Sequence, residues 1–186
     1  MIQSSCGKDY LYAHVTGRTL QSSWPELPMT LVWEIFCDNL RKYAQPGGPH
    51  VNAFVLMHNH FHLLITERVS KITLAVESLA SNIENCIRAF SGIELPVFEA
   101  VPDQFLITDL KHLRNVYRYI YQNPVQVGLV ARAEDYPFST LGFLLGKKRD
   151  LSTPPVNDTF GIIYDPMRML RWINNPELEC DLWEVQ

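Results

Sequence analysis

An α+β fold, an antiparallel sheet with helices packed on it, is what three observations on this sequence predict. Two strand-like runs, Asn52 to Met57 and His60 to Thr66, are separated only by His58-Asn59, which suits a tight antiparallel hairpin. Elsewhere, apolar residues recur at helical spacing over long stretches. The order strand, helix, hairpin, helix, strand, helix then gives a layered sandwich with helices on one face of the sheet.

The first element spans Asp9 to Thr19, whose aromatic and β-branched content reads as strand, followed by a polar loop to Met29. Thr30 caps a helix carrying Leu31, Val32, Ile35, Phe36 and Leu40, which Pro46-Gly47-Gly48-Pro49 ends. In the hairpin that follows, Asn59 is a residue that tolerates unusual turn conformations. Ser70 to Phe90 reads as a long amphipathic helix through Ile72, Val76, Leu79, Ile83, Ile87 and Phe90, stopped near Gly92. One or two short strands lie between Leu95 and Ile107. Thr108 or Asp109 caps the next helix, which runs to about Asn123 before Pro124 and Gly128 break it. A short apolar helix follows Tyr136-Pro137-Phe138-Ser139-Thr140, and a last helix covers Pro166 to Ile173.

Composition bounds the class. With 186 residues the chain is long enough for one well-buried core, and 47% hydrophobic with 19% charged residues suits a globular protein. Apolar runs are strand-length, far short of a membrane span, and no secretory signal is visible at the start, so the expected compartment is the cytoplasm with no membrane partner. Cys6, Cys37, Cys86 and Cys180 lack paired spacing and read as reduced thiols, with Cys37 and Cys86 on apolar helix faces. The net charge of −4 argues against a strongly basic nucleic-acid coating protein. Charge is unevenly spread, however: acid gathers at Glu177, Glu179, Asp181 and Glu184, and base at Lys111, Arg114, Arg118 and at Lys147-Lys148-Arg149.

His60-Phe61-His62 is the segment most suggestive of chemistry. Residues two apart on a strand project from the same face, so both imidazoles point one way, as in a divalent-metal site that still needs a third ligand. A solvated face of a half-buried strand would show the same pattern. In the helix after Asp109, about 100° per residue puts Leu110, Leu113, Tyr117, Ile120 and Tyr121 on one apolar stripe, and His112, Asn115, Tyr119 and Asn123 on another. Tyr117 and Tyr121 are core candidates. Tyr119 and Asn123, four residues apart, pair a phenol with an amide oxygen, a hard ligand, on one face. A phenol, with a pKa near 10, attacks phosphorus poorly without help, and a metal ion that polarises the phosphate supplies that help.

Together these stretches resemble the one-tyrosine HUH single-strand transposases, in particular the REP-associated tyrosine transposase group of the IS200-like family. Met57-His58-Asn59-His60-Phe61-His62-Leu63-Leu64 is similar to the family's Met-Pro-Asn-His-apolar-His-Leu-Leu, and Tyr119-Ile120-Tyr121-Gln122-Asn123-Pro124-Val125-Gln126-Val127-Gly128 to its Tyr-Ile-x-x-Asn-Pro-Val-x-x-Gly. His14-Val15-Thr16-Gly17-Arg18 and Tyr136-Pro137-Phe138-Ser139-Thr140 resemble two further family segments in the expected order. His58 and Thr19 depart from the pattern, standing where the family has proline and glycine.

The resemblance covers about residues 10 to 146. It implies a ferredoxin-like HUH nuclease fold over residues 1–150; residues 151–186 have no counterpart in the family pattern and are expected to be a C-terminal helical extension packed on the same domain or a segment that binds something the family does not. It implies a metal-dependent endonuclease and strand transferase for single-stranded or hairpin DNA, working as monomer or homodimer. Tyr119 would be the nucleophile, forming a 5′-phosphotyrosine link, and His60, His62 and Asn123 would hold magnesium or manganese. Arg18, Lys111, Arg114 and Arg118 are the candidate phosphate contacts. Two other readings keep parts of this picture: a domesticated, non-cleaving protein that binds DNA or RNA hairpins, and a hydrolase of a small phosphoester in which Tyr119 only positions the substrate.

Overall fold

A computed structural model of the chain describes residues 9–21, 23–147, 155–175 and 178. Four strands, β1 (Tyr10–Arg18), β2 (His50–Leu56), β3 (His60–Arg68) and β4 (Asp103–Ile107), form one antiparallel sheet in the order β2-β3-β1-β4. The helices are α1 (Met29–Tyr43), α2 (Ile72–Ser91), α3 (Leu110–Gln126), α4 (Leu141–Leu144) and α5 (Pro166–Asn174). Among the described residues no helix is long and apolar enough to cross a membrane.

The α+β class is as predicted, but helices cover both faces of the sheet rather than one. Ala13, Val15, Phe61, Leu63 and Ile65 pack against α1 and α2, whereas Ala53, Val55, Leu64 and Ile107 pack against α3 and α5. The reason lies in β2 and β3, which are buried continuously from Val51 to Leu56 and from Phe61 to Glu67 instead of alternately. Strands with two apolar faces require cover on both.

Local signals explain most element ends, with three corrections. Thr30 is not the cap of α1: Pro28 is, in extended conformation, and its carbonyl accepts from the N–H groups of Leu31 and Val32 at 2.9 and 3.1 Å. Pro124 does not break α3. It lies in the last turn, where its missing N–H costs a single ladder bond, and the end is closed by Val127 N–H to Asn123 O at 3.3 Å and Gly128 N–H to Val125 O at 3.0 Å. Leu110 and Phe90 are exposed instead of lying in apolar stripes, because both sit at helix ends where the stripe overruns the surface it packs on. By contrast Gly92, at φ 70°, ends α2 in the left-handed conformation that glycine adopts freely, and Asp109 caps α3 by accepting from His112 N–H at 2.8 Å.

Of the one or two strands expected between Leu95 and Ile107, β4 is the regular one, and Phe98 adds an isolated bridge to Thr19. The edge strand β2 is covered on its outer side. Leu56 N–H donates to Phe138 O at 3.0 Å, Thr140 N–H to Phe54 O at 2.9 Å, and Asn157 N–H to Val51 O at 2.8 Å. The Tyr136-to-Thr140 segment is therefore a structural clamp. Tyr136 Oη donates to Leu56 O at 2.8 Å, and the Thr140 hydroxyl lies 3.1 Å from that of Tyr121 on α3, fixing how α3 is rotated over the sheet.

Helix α5 belongs to the same layer as α3. Asp165 caps it, and Met169, Leu170, Trp172 and Ile173 are buried in the second core. Cys37 is buried and Cys86 half-buried, and neither is in a disulfide among the described residues; Cys6, Cys180, Lys148, Arg149 and the acidic Glu177, Glu179, Asp181 and Glu184 lie outside the described residues.

Candidate functional site

The site is built on the face of the sheet that carries α3, at the hairpin end. The turn that positions it is held from outside the hairpin. Its three carbonyls, of Met57, His58 and Asn59, accept respectively from Trp24 Nε1 at 2.7 Å, Trp24 N–H at 3.2 Å and Thr19 N–H at 2.9 Å, and Met57 N–H donates to His60 O at 2.8 Å. Thr19, one of the two departures from the family pattern, is thus a buried anchor of the turn, and His58, the other, is an exposed turn residue. The tolerance of Asn59 for unusual backbone conformations is not called on: among the described non-glycine residues only Glu26 has a positive φ. Asn59 contributes through its side chain instead, its Oδ1 lying 2.7 Å from His60 Nδ1.

Cross-strand pairing brings further groups to the same face. Arg18 of β1 stands opposite His60, Thr16 opposite His62, and Phe105 of β4 opposite His14. His14 Nε2 lies 3.1 Å from His62 Nδ1. Across the site, α3 delivers Asn123, whose Nδ2 lies 3.1 Å from His62 Nε2, and Tyr119, whose ring centroid is 5.2 Å from that of His62 and 6.1 Å from that of His14. The four-residue spacing places both on the side of α3 that meets the histidines, in the same chain.

The three tyrosines of α3 divide as their stripes predict. Tyr117 and Tyr121 are buried at 0% and 1% exposure, and burial pushes both phenols further from ionisation; Tyr119 is 40% exposed. It alone of the three presents a hydroxyl-bearing ring to both solvent and the imidazoles.

Electrostatics keep the histidines neutral. Burial, then the neighbouring His14, His60 and Arg18, lower the His62 pKa to about 3. Burial and then His112 lower His14 to about 4. Burial and Arg18 also lower His60, with the Asn123 amide opposing in part. Neutral imidazole is the form that binds a metal.

Whether these residues suit a divalent cation can be judged from their polar atoms. Among the described residues no group of three or more His, Cys, Asp or Glu is disposed to hold a metal ion, so a site here requires an amide ligand. Asn123 supplies one: its Oδ1 is buried and without a hydrogen-bond partner, an arrangement that costs free energy unless something else satisfies the oxygen. Two imidazoles with partnered Nδ1 atoms, beside an orphaned amide oxygen, are a donor set compatible with a divalent cation.

The predicted phosphate contacts separate into two groups. Arg18 and Lys111 are exposed, Arg18 beside His60 and Lys111 in the first turn of α3. Arg118 is committed internally, donating to Leu178 O at 3.0 Å and lying over the Trp172 ring at 5.6 Å, and Arg114 is half-buried. His14 and Asn59 are the site residues that motif reading passed over. Their signal was available, since His14, Thr16 and Arg18 alternate on one strand face and Asn59 precedes the first histidine.

No protein-family model matches the sequence, and no curated protein matches it significantly. Solved structures do. The structure of a REP-associated tyrosine transposase bound to a REP hairpin is similar, with a TM-score of 0.61 and 19% identity over 84% of this chain and 94% of that one. A crystal structure of a candidate transposase from Deinococcus radiodurans R1 is similar over 66% of this chain and 97% of that one, with a TM-score of 0.45 and 17% identity. The first establishes a shared fold, the one that the motif resemblance implied.

Proposed function

We propose that this chain is a metal-dependent endonuclease and strand transferase for single-stranded, hairpin-containing DNA, of the transposase type, with Tyr119 as nucleophile. The observation that carries the reading is the half-exposed Tyr119 ring 5.2 Å from His62, on the same helix as an orphaned Asn123 amide oxygen. A helix that only had to pack would not need a phenol and an unpaired amide at the mouth of a two-histidine cleft.

His60, His62 and Asn123 would hold the cation. When bound, magnesium or manganese supplies charge neutralisation and polarisation of a phosphate oxygen. Arg18 and Lys111 would bind the flanking backbone, with the half-buried Arg114 at the margin of the path and Arg118 left to its internal partners, Leu178 O and the Trp172 ring. Tyr119 Oη forms a bond to phosphorus while the bond from phosphorus to the 3′ oxygen breaks. The phenolic proton leaves to solvent and the departing oxygen takes one up as a 3′-hydroxyl. The product is a 5′-phosphotyrosine. Attack by another 3′-hydroxyl restores the phosphodiester and the phenol, so one ester replaces another and no energy source is needed. The hairpin substrate is suggested by the REP hairpin in the related structure and by the shared fold.

Purified protein incubated with labelled hairpin-forming DNA from the flanks of its own gene tests this on a denaturing gel. A covalent band that forms with manganese, vanishes with chelator and is lost in Asn123→Ala is the expected result. A retained mobility shift on a native gel with no covalent band under any condition would instead identify a non-cleaving hairpin binder.

A further inference from the structure

His62 has a defined partner at each ring nitrogen, and the two partners decide which nitrogen carries the proton. Nδ1 faces His14 Nε2 at 3.1 Å, and Nε2 faces the Asn123 amide at 3.1 Å. The two rings lie 5.3 Å apart centre to centre with planes 29° apart. The contact that matters is between the nitrogens themselves, whose 3.1 Å separation is a hydrogen-bond distance. A neutral imidazole has one N–H, so only two arrangements exist. In one, His62 donates from Nδ1 to His14 and its Nε2 lone pair points toward Asn123. In the other, His14 donates and the His62 Nε2 proton blocks that direction.

We propose that His14 is a positioning residue that holds His62 as the Nδ1–H tautomer and so keeps the Nε2 lone pair directed into the site. Asn123 favours the same arrangement, since its Nδ2, a donor, is the atom that faces Nε2. Asn59 does for His60 what His14 does for His62: its Oδ1 can only accept, so at 2.7 Å it takes the His60 Nδ1 proton and leaves Nε2 bare. Both histidines of the pair thus present the same nitrogen, one oriented by its sequence neighbour and the other by a residue 48 positions away on β1. His14 is well placed for this because Phe105 flanks it on β4, at 6.1 Å between centroids, and the Tyr119 ring closes over it from α3. Ligating histidines in general depend on such an acceptor at the other ring nitrogen, whose loss weakens metal binding about 10–100-fold.

The inference deepens the proposed metal-dependent reading, but its test is made on protein free of DNA and metal. Long-range 1H–15N NMR of the ring nitrogens reads the tautomer of His62 directly. The expected result is Nδ1–H in the wild type and in His14→Gln, whose side-chain oxygen reaches the position of the lost Nε2, and a shift toward Nε2–H in His14→Phe, which fills the space without accepting. Titration with manganese alone then shows weakening of about 10–100-fold in His14→Phe and recovery to within a few-fold in His14→Gln. A wild-type His62 in the Nε2–H form overturns the inference. So does a folded His14→Phe with the tautomer and manganese affinity of the wild type. A wild type with the expected tautomer and its expected response to His14→Phe, but no manganese binding, supports the role of His14 in orienting His62 while removing the metal from the proposed function.

Discussion

The two faces of the sheet are made from the same strands and do opposite work. On β1, Ala13, Val15 and Gly17 face α1 and α2, while His14, Thr16 and Arg18 face α3 and the site. On β3 the alternation repeats, Phe61 and Leu63 against His60 and His62. The first face is apolar and closely packed. Phe61 meets Phe36 at 5.2 Å and Phe98 at 6.0 Å, and a Cβ on Gly17 would lie 2.6 Å from the Phe61 ring. The second face is covered by α3 at its middle and left open toward the hairpin, where imidazoles, an arginine and a phenol meet. Both faces carry a packed core, but the chemical groups gather on only one of them, at the hairpin end, so a strand two residues in period serves both. The difference teaches that the histidine pair is rigid because the residue between them is a core anchor.

The comparison breaks if variants on one face behave like those on the other. The largest expected effect is on Tyr119→Phe, which should lose covalent DNA attachment by on the order of 10³-fold or more while its melting temperature stays near that of the wild type. Quantified adduct gels and thermal unfolding of the same preparations decide it.

On the opposite face, Phe61→Ala should cost about 3–5 kcal/mol in urea unfolding, as removal of a buried aromatic does, and Gly17→Ala about 1–3 kcal/mol by overpacking against that ring. Both should retain adduct formation per folded molecule where enough folded protein remains. A Gly17→Ala variant of wild-type stability with a damaged site would contradict the division of labour.

Acid should act through the site face. His62 and His14 fold with pKa values near 3 and 4, below the unfolded value near 6.5, so the unfolded chain binds more protons between these limits. Their contribution to stability is present above about pH 6.5 and is lost as pH falls toward the folded values. His62→Gln should flatten the dependence of stability on pH in this window, whereas Phe61→Ala should lower the curve and leave its slope unchanged. Unfolding curves across the window make the comparison.

The smallest expected effect belongs to Arg18→Ala. Removing one exposed phosphate contact should weaken binding of single-stranded DNA a few-fold and reduce the salt slope by about 0.7. Titrations at several salt concentrations test this, and an unchanged slope would take Arg18 off the DNA path.

Much of the fold and part of the site were legible in the sequence, for reasons that differ by residue. The hairpin, α2 and the separation of Tyr119 from Tyr117 and Tyr121 follow from periodicity, which reports burial directly. Helices on the second face were not foreseen, because that cover depends on what α3 and α5 fold back onto, a long-range matter. The alternation of His14, Thr16 and Arg18 on one strand face was legible, but that this face meets His62 depends on the pairing of Thr16 with His62 across strands 46 residues apart in the chain, a register that local pattern does not contain. Pro124 misled because a proline near a helix end removes little, and only the full helix reveals where that end is. Arg118 read as a surface charge, and only the fold shows it laid over Trp172.

The division between the three α3 tyrosines is the most exposed part of the account, and mass spectrometry of the DNA-linked peptide tests it most directly. After trapping with hairpin DNA and manganese and digestion with protease and nuclease, the account predicts a nucleotide remnant on Tyr119. A remnant on Tyr117, Tyr121 or any other residue would contradict it.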